Sequence, residues 1–92
     1  MEFQRSHQLR ERAHRLIPGG AHTYAKGDDQ YPQESPGFFV RGHGCRSWDP
    51  DGNCFVEYGI GLRSVTLGHG YEPVVRAAAA ALADGVNFIR PH

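Results

Sequence analysis

The sequence predicts an α+β fold in which an N-terminal helix, a small three-stranded antiparallel sheet and a second helix follow one another. Three observations predict it. Apolar residues recur at helical spacing near both ends of the 92 residues. The middle holds short runs rich in aromatic and β-branched residues, which are typical of strands. Two of these runs are joined by a turn sequence, Asp49-Pro50-Asp51-Gly52.

The first helix is predicted over residues 2–16 and gives an N-terminal helical segment, 1–17. An apolar stripe at the i, i+4, i+7, i+8 spacing supports it and comprises Leu9, Ala13, Leu16 and Ile17. Pro18, followed by two glycines, then ends the helix. Proline cannot continue a helix, and glycine lets the backbone leave the helical conformation.

Segment 18–37 shows neither a helical nor a strand period and is predicted to be irregular. Glycine, proline and polar residues dominate it, with Tyr24 and Tyr31 as isolated aromatics. Loops of this length are usually functional or disordered. A linker and a binding loop are about equally plausible from the residues alone.

Segment 38–58 is predicted to be the three-stranded antiparallel meander, with strands over 38–41, 45–48 and 53–58. The turn between the last two strands fits type I with proline at its second position, and Gly52 would supply the left-handed residue of a bulge. A sheet of three short strands is marginal unless something packs on one face.

The turn also fixes which residues face each other across the hairpin. A three-residue loop over 50–52 puts Trp48 opposite Cys54 and Cys45 opposite Glu57, so the two thiols do not meet. Two reduced cysteines are typical of a cytosolic protein. We therefore expect a cytoplasmic location.

Segment 59–92 begins with a glycine-rich loop over 59–70, which is expected to be irregular and at least half-buried. Pro73 suits the first turn of a following helix, and Gly85 suits its end. The apolar face of that helix comprises Val74, Val75, Ala78, Ala81 and Leu82. The extended tail carries no stop signal, which predicts that the chain leads into a large domain.

Composition argues against two classes of partner. Ten basic and ten acidic residues balance, so no general field favours nucleic acid or an anionic membrane. No apolar run is long enough to cross a bilayer. Neither partner is expected.

The residues also predict no metal site and no catalytic set. Counted from Asp49, an EF-hand loop would need glycine at Cys54 and glutamate at Ile60, and the His and Cys spacings match no zinc pair. Lys26 is the sole lysine, and its loop has too little apolar surface to desolvate a Schiff-base nucleophile.

Several short motifs nevertheless occur in a telling order and spacing. They are Ile17-Pro18-Gly19-Gly20, Trp48-Asp49-Pro50-Asp51-Gly52-Asn53, Phe55-Val56-Glu57-Tyr58, and Leu67-Gly68-His69 with Pro73. Together they resemble the N-terminal region of class III aminotransferases. The likeness is strongest to the glutamate-1-semialdehyde 2,1-aminomutase branch, which shares the same IPGG start, and it covers nearly the whole chain.

The resemblance implies a fold-type I enzyme that uses pyridoxal 5'-phosphate (PLP), works as a homodimer and acts on small amino and keto substrates. In that family the N-terminal region supplies a helix and a small antiparallel sheet. The cofactor lysine and the residues that hold the cofactor lie beyond position 92. Lys26 is therefore not the Schiff-base lysine.

The resemblance also implies four substrate-side residues. Thr23 and Lys26 occupy the positions of a serine and an arginine that approach the aminomutase substrate. Lysine keeps the cation but loses the planar two-pronged grip on a carboxylate. Leu62 stands where the aminomutase has tryptophan, and Arg63 is an alternative carboxylate partner. These departures favour a transaminase with another amino or keto substrate.

Two hypotheses of different classes follow. The first is the N-terminal portion of a PLP-dependent aminotransferase, inactive as 92 residues because the cofactor lysine is absent. The second is a non-catalytic interaction or dimerisation module that complements a separate enzyme body. A partly disordered product without function is the third possibility.

Overall fold

The computed structural model describes residues 1–91, and its elements confirm the predicted α+β order. The chain begins with helix α1 (Gln4–Leu16), which is followed by three short 3-10 turns (Pro18–Gly20, Tyr24–Lys26 and Asp28–Gln30). Next come the three strands β1 (Arg41–His43), β2 (Arg46–Trp48) and β3 (Cys54–Val56). The single turn α2 (Ile60–Arg63) and helix α3 (Glu72–Ala83) complete the order.

The sheet is antiparallel in the order β1-β2-β3, and its hairpin register is the predicted one. Trp48 pairs with Cys54, and the Glu57 N–H donates to the Cys45 carbonyl at 2.9 Å. The Gly52 N–H donates to the Asp49 carbonyl at 3.1 Å, and Gly52 has a φ of 89°. The predicted turn with its left-handed glycine is therefore confirmed, and the two cysteines are free and not opposed.

The predicted position of the first strand is wrong. The structure places β1 at Arg41–His43 and not at 38–41, with Arg41 opposite Trp48. Because β2 ends at Trp48 and the chain then enters the turn, residues 38–40 extend past the end of their partner. A single bond continues the ladder, from the Val40 N–H to the Trp48 carbonyl at 2.9 Å.

The hairpin turn docks on the N-terminus of α1. The Asp51 carboxylate accepts hydrogen bonds from the backbone N–H groups of Arg5 at 2.7 Å and Ser6 at 2.9 Å. These are unpaired donors of the first helical turn, which no side chain of the helix itself caps. Desolvation raises the pKa of Asp51, but the two N–H groups outweigh it and hold the pKa below its usual range.

We expect Asp51→Ala to release the start of α1 from the hairpin, because the Arg5 and Ser6 amides lose their acceptor. Their hydrogen exchange, followed by NMR, should become several-fold faster. Asp51→Asn keeps one acceptor oxygen, so its exchange rates should lie between those of the wild type and Asp51→Ala. Unchanged exchange in Asp51→Ala would show that this cap does not stabilise the start of α1.

The chain buries few apolar side chains. Among residues 1–91, Phe3 and Ala13 are the buried ones. The radius of gyration is 16.0 Å, whereas a compact domain of this length has about 12 Å. The apolar residues of α3 are exposed, Leu82 at 63%. The structure therefore presents apolar surface that its own elements do not cover.

The predicted apolar stripe of α1 is only partly buried. Ala13 is buried, but Leu16 is 68% exposed and Ile17 is 41% exposed. Ile17 lies outside the helix, in extended backbone at its C-terminal end.

Helix α3 begins next to Pro73 and ends near Gly85, as predicted. The Gly85 N–H donates to the Leu82 carbonyl at 3.2 Å, and Gly85 has a φ of 101°.

Among residues 1–91, no helix has the length and apolarity needed to cross a membrane.

Candidate functional site

Three of the four residues predicted to meet substrate line two separate hollows of the surface, and Lys26 is not among the residues that line them. Thr23 lines the first, together with His14 and Asp28. Leu62 and Arg63 line the second, on α2. Lys26 is exposed, at the end of the second 3-10 turn. The structure thus pairs Leu62 with Arg63 but does not bring Thr23 into the same hollow.

The first hollow is held in place by Asp28. Its carboxylate oxygen Oδ2 lies 2.9 Å from His14 Nε2 and 3.4 Å from Arg10 Nε, both on α1. The hydrogen bond with His14 lowers the pKa of Asp28, and the charges of His14 and Arg10 lower it further against a desolvation cost. Arg10 also donates to the Gln33 carbonyl at 3.4 Å. Segment 18–37 is therefore fastened to α1, although its sequence shows no period.

The second hollow is built on a left-handed turn. All four residues of α2 have positive φ: 39° at Ile60, 58° at Gly61, 58° at Leu62 and 71° at Arg63. Only Gly61 adopts this conformation without a steric cost, which for other residues is about 1–2 kcal/mol each. Strain of this kind persists only where the surroundings impose it, and it concentrates at functional sites.

Backbone and hydroxyl groups impose part of this conformation. The Arg63 N–H donates to the Gly59 carbonyl at 3.3 Å, and the Val65 N–H donates to the Ile60 carbonyl at 3.1 Å. The Ser64 hydroxyl donates to the Gly61 carbonyl at 2.6 Å. These bonds close the turn on itself, but none of them joins it to the sheet.

Glu57 makes that connection. Its Oε1 accepts from the Gly61 N–H at 3.0 Å. Its Oε2 accepts from the Ser47 hydroxyl at 2.5 Å and lies 2.6 Å from His69 Nε2. The Ser47 hydrogen bond is the main reason that the pKa of Glu57 falls to about 2, and the contacts with Gly61 and His69 add to it while burial opposes them. One carboxylate thus ties together the sheet, α2 and the segment around His69.

His69 is locked against the sheet in turn. Gly44 and His69 exchange backbone hydrogen bonds at 2.8 and 2.9 Å. The His69 ring lies over Gly42, where an added Cβ would come within 2.5 Å of its Cγ. The Leu67-Gly68-His69 motif therefore places His69 beside Glu57. Glu57 and its partners Ser47, Gly61 and His69 form the Glu57 cluster.

Sequence reasoning missed Glu57, although one signal pointed to it. The predicted register places Glu57 on the same sheet face as Ser47, which lies opposite Phe55. A carboxylate on that inner face needs a hydrogen-bond partner. No local pattern identifies His69, twelve residues further along, as that partner.

The described residues do not fit a PLP site. Schiff-base chemistry requires a desolvated lysine, and Lys26, the sole lysine of the sequence, is exposed. As the structure places it, Lys26 does not meet that requirement.

Solved structures that superpose on the chain define its class. The FumI protein of Sphingopyxis sp. MTA144, in a form with PLP, matches 97% of the chain with a TM-score of 0.86 and 34% identity, over 21% of its own chain. An omega-transaminase from Sphaerobacter thermophilus matches 95% of the chain with a TM-score of 0.79 and 30% identity, over 19% of its own chain. The fold is that of a segment of the PLP-dependent transaminases.

Curated relatives named as aminomutases also match the chain. The glutamate-1-semialdehyde 2,1-aminomutase of Acidobacterium capsulatum is 38% identical over 84 residues, which are 91% of this chain and 19% of that protein. The aminomutase of Desulfitobacterium hafniense strain DCB-2 is 34% identical over 88 residues, 96% of this chain and 20% of that protein. No family model matches the chain. The predicted resemblance to an N-terminal segment of class III aminotransferases is confirmed, and the chain spans about a fifth of the length of these relatives.

Proposed function

We propose that this chain is the N-terminal portion of a PLP-dependent class III aminotransferase. The complete enzyme would transfer an amino group between an amine or amino acid and a keto or aldehyde substrate, and the cofactor would supply the electron sink for that chemistry. The observation that carries the proposal is the match to aminomutases and transaminases along more than nine-tenths of the chain.

The exposed apolar surface supports this proposal. Helix α3 has its apolar residues open to solvent, and the chain is wider than a compact domain of its length. Such surface is typical of a segment that packs against a larger body. In the complete enzyme we propose that this body is the remainder of the same polypeptide and its partner in a homodimer. The two free cysteines favour a cytoplasmic location.

We assign substrate contacts to Thr23, Lys26, Leu62 and Arg63 within this proposal. Thr23 and Lys26 lie on the segment that Asp28 fastens to α1. Leu62 and Arg63 lie on the strained α2 turn, as expected for groups held for function. The proposed substrate carries a carboxylate, because Lys26 and Arg63 offer exposed cations to it.

A chimera tests the function. The matching segment of the Acidobacterium capsulatum aminomutase is replaced by this chain, and the same exchange with the Desulfitobacterium hafniense segment serves as the control. We expect both chimeras to fold and bind PLP. The control should keep aminomutase activity, and the chimera with this chain should move amino groups between an amino acid and a keto acid. A chimera that folds and binds PLP but transfers nothing, beside an active control, would contradict the proposal and favour the interaction module.

We expect Lys26→Arg combined with Leu62→Trp to shift this chimera toward the aminomutase reaction. Arginine restores the bidentate grip on a carboxylate, which lysine lacks. The ratio of aminomutase rate to transamination rate should rise about tenfold, the equivalent of one strong charged hydrogen bond. Arg12→Lys, an exposed change on α1, is the control. An unchanged ratio would remove Lys26 and Leu62 from the proposed site.

A further inference from the structure

The α2 turn combines strain with an exposed cation, and a hydrogen bond to the Glu57 side chain joins its backbone to the sheet. Leu62 and Arg63 have positive φ, a conformation that neither residue adopts unaided. The Gly61 N–H between Ile60 and these two residues points to Glu57 Oε1 at 3.0 Å. The bonds of the Arg63 N–H, the Val65 N–H and the Ser64 hydroxyl lie within the turn itself, whereas this one runs to the sheet.

Glu57 is itself rigidly held. Ser47, its partner on β2, is 1% exposed, and His69 Nε2 lies 2.6 Å from the other carboxylate oxygen. Both partners are fixed independently, Ser47 by its strand and His69 by the bridge to Gly44. Two hydrogen bonds thus hold in place the carboxylate that accepts from the Gly61 N–H.

Arg63 is the group whose position this contact decides. It is exposed, lines the second hollow with Leu62 and Tyr58, and forms no ion pair with any carboxylate of residues 1–91. Reverting α2 to right-handed backbone would turn the side chains of Leu62 and Arg63 in other directions. The left-handed turn therefore determines where the cation lies.

We infer that Glu57 is a positioning residue that holds α2 left-handed and so sets the place of Arg63 as the carboxylate-binding, specificity-determining group for the substrate. The inference rests on the proposed function for the role of Arg63. Its first half, the hold of Glu57 on α2, stands on the contacts alone. In this role Glu57 acts through its hydrogen bond with Gly61.

Hydrogen exchange tests the first half in the 92-residue chain. Glu57→Ala should speed exchange of the Gly61 amide at least about tenfold, because hydrogen bonds to charged groups are among the strong ones. Glu57→Gln retains an acceptor oxygen and should restore most of the protection. Equal Gly61 exchange in wild type and Glu57→Ala would overturn the inference, whether or not any chimera proves active.

Kinetics of the chimera test the second half. Glu57→Ala should raise KM for an amino substrate that carries a carboxylate by about tenfold or more, since small misplacements of a binding group have large effects. kcat and the KM of a carboxylate-free amine should change far less. Gly61→Ala, whose Cβ would lie 2.8 Å from Val65 Cγ2, should give the same pattern by disturbing α2 directly.

Two comparisons separate positioning from general damage. The effects of Glu57→Ala and Arg63→Leu on this KM should not add in the double variant, because both remove the same interaction. Ser47→Ala loosens the hold on Glu57 but leaves the bond between Glu57 and Gly61, so it should raise this KM less than Glu57→Ala does. Additive effects, or an equal rise in both KM values, would overturn the role of Arg63 in an active chimera. A folded chimera without transfer would instead count against the proposed function, with the Gly61 exchange result unaffected.

Discussion

Gly68→Ala is expected to open the bridge between Gly44 and His69 and to destabilise the sheet by about 2–4 kcal/mol. Gly68 has a φ of 90°, which strains any residue with a Cβ. An added Cβ would also lie 3.0 Å from the Gly44 Cα and 3.1 Å from its carbonyl oxygen. Both atoms belong to the backbone that forms the bridge, so they cannot move aside without breaking it.

Gly52 provides a matched control for this substitution. Its φ of 89° is nearly that of Gly68, but an added Cβ there would meet nothing within 4 Å. Gly52→Ala should therefore cost only the backbone strain, about 1 kcal/mol. The free energy of unfolding is measured by urea titration of the Trp48 fluorescence, since Trp48 is the sole tryptophan and lies in β2. Equal losses in the two variants would show that the contact with Gly44 is unimportant.

The hairpin could be predicted from the sequence because its determinants are local. A proline at the second turn position and a glycine three residues after Asp49 specify the loop, and the loop specifies the register. The pairing of Trp48 with Cys54 follows directly. The start of β1 could not be predicted in this way. The apolar residues at 38–40 look like a strand, but their pairing depends on where β2 ends.

The apolar faces of the helices could be predicted, but not what covers them. Leu16 and Leu82 lie on apolar stripes, yet both are exposed. A periodic pattern identifies a face that must be buried and carries no information about its partner. In this protein that partner is not among the elements of residues 1–91.

The polar contacts that organise the site were beyond sequence reasoning for a different reason. Asp51 caps α1 across a separation of 46 residues, and Glu57 meets His69 across twelve. In the sequence, Asp51 looks like an ordinary turn residue and Glu57 like an ordinary strand residue. Only the packed structure shows that each also satisfies unpaired groups elsewhere.

Acid is expected to weaken the fold through Glu57. The pKa of its carboxyl is about 2 in the folded protein against an ordinary 4.5. A depressed pKa contributes stability that is fully present above the ordinary value and is lost as the pH falls through the folded value. The window therefore runs from about pH 5 down to pH 2. The full contribution is at most about 3 kcal/mol, from about 1.4 kcal/mol per pH unit.

Glu57→Gln isolates this contribution, because Asp28 and Asp51, whose pKa values are also lowered, remain in both proteins. Urea titrations of Trp48 fluorescence at several pH values should show the wild type losing more free energy of unfolding than the variant between pH 5 and pH 2. At neutral pH the variant should be the less stable of the two. Parallel pH profiles would mean that Glu57 has the same pKa in the folded and the unfolded chain. The hydrogen bonds with Ser47, Gly61 and His69 would then not favour its charged form.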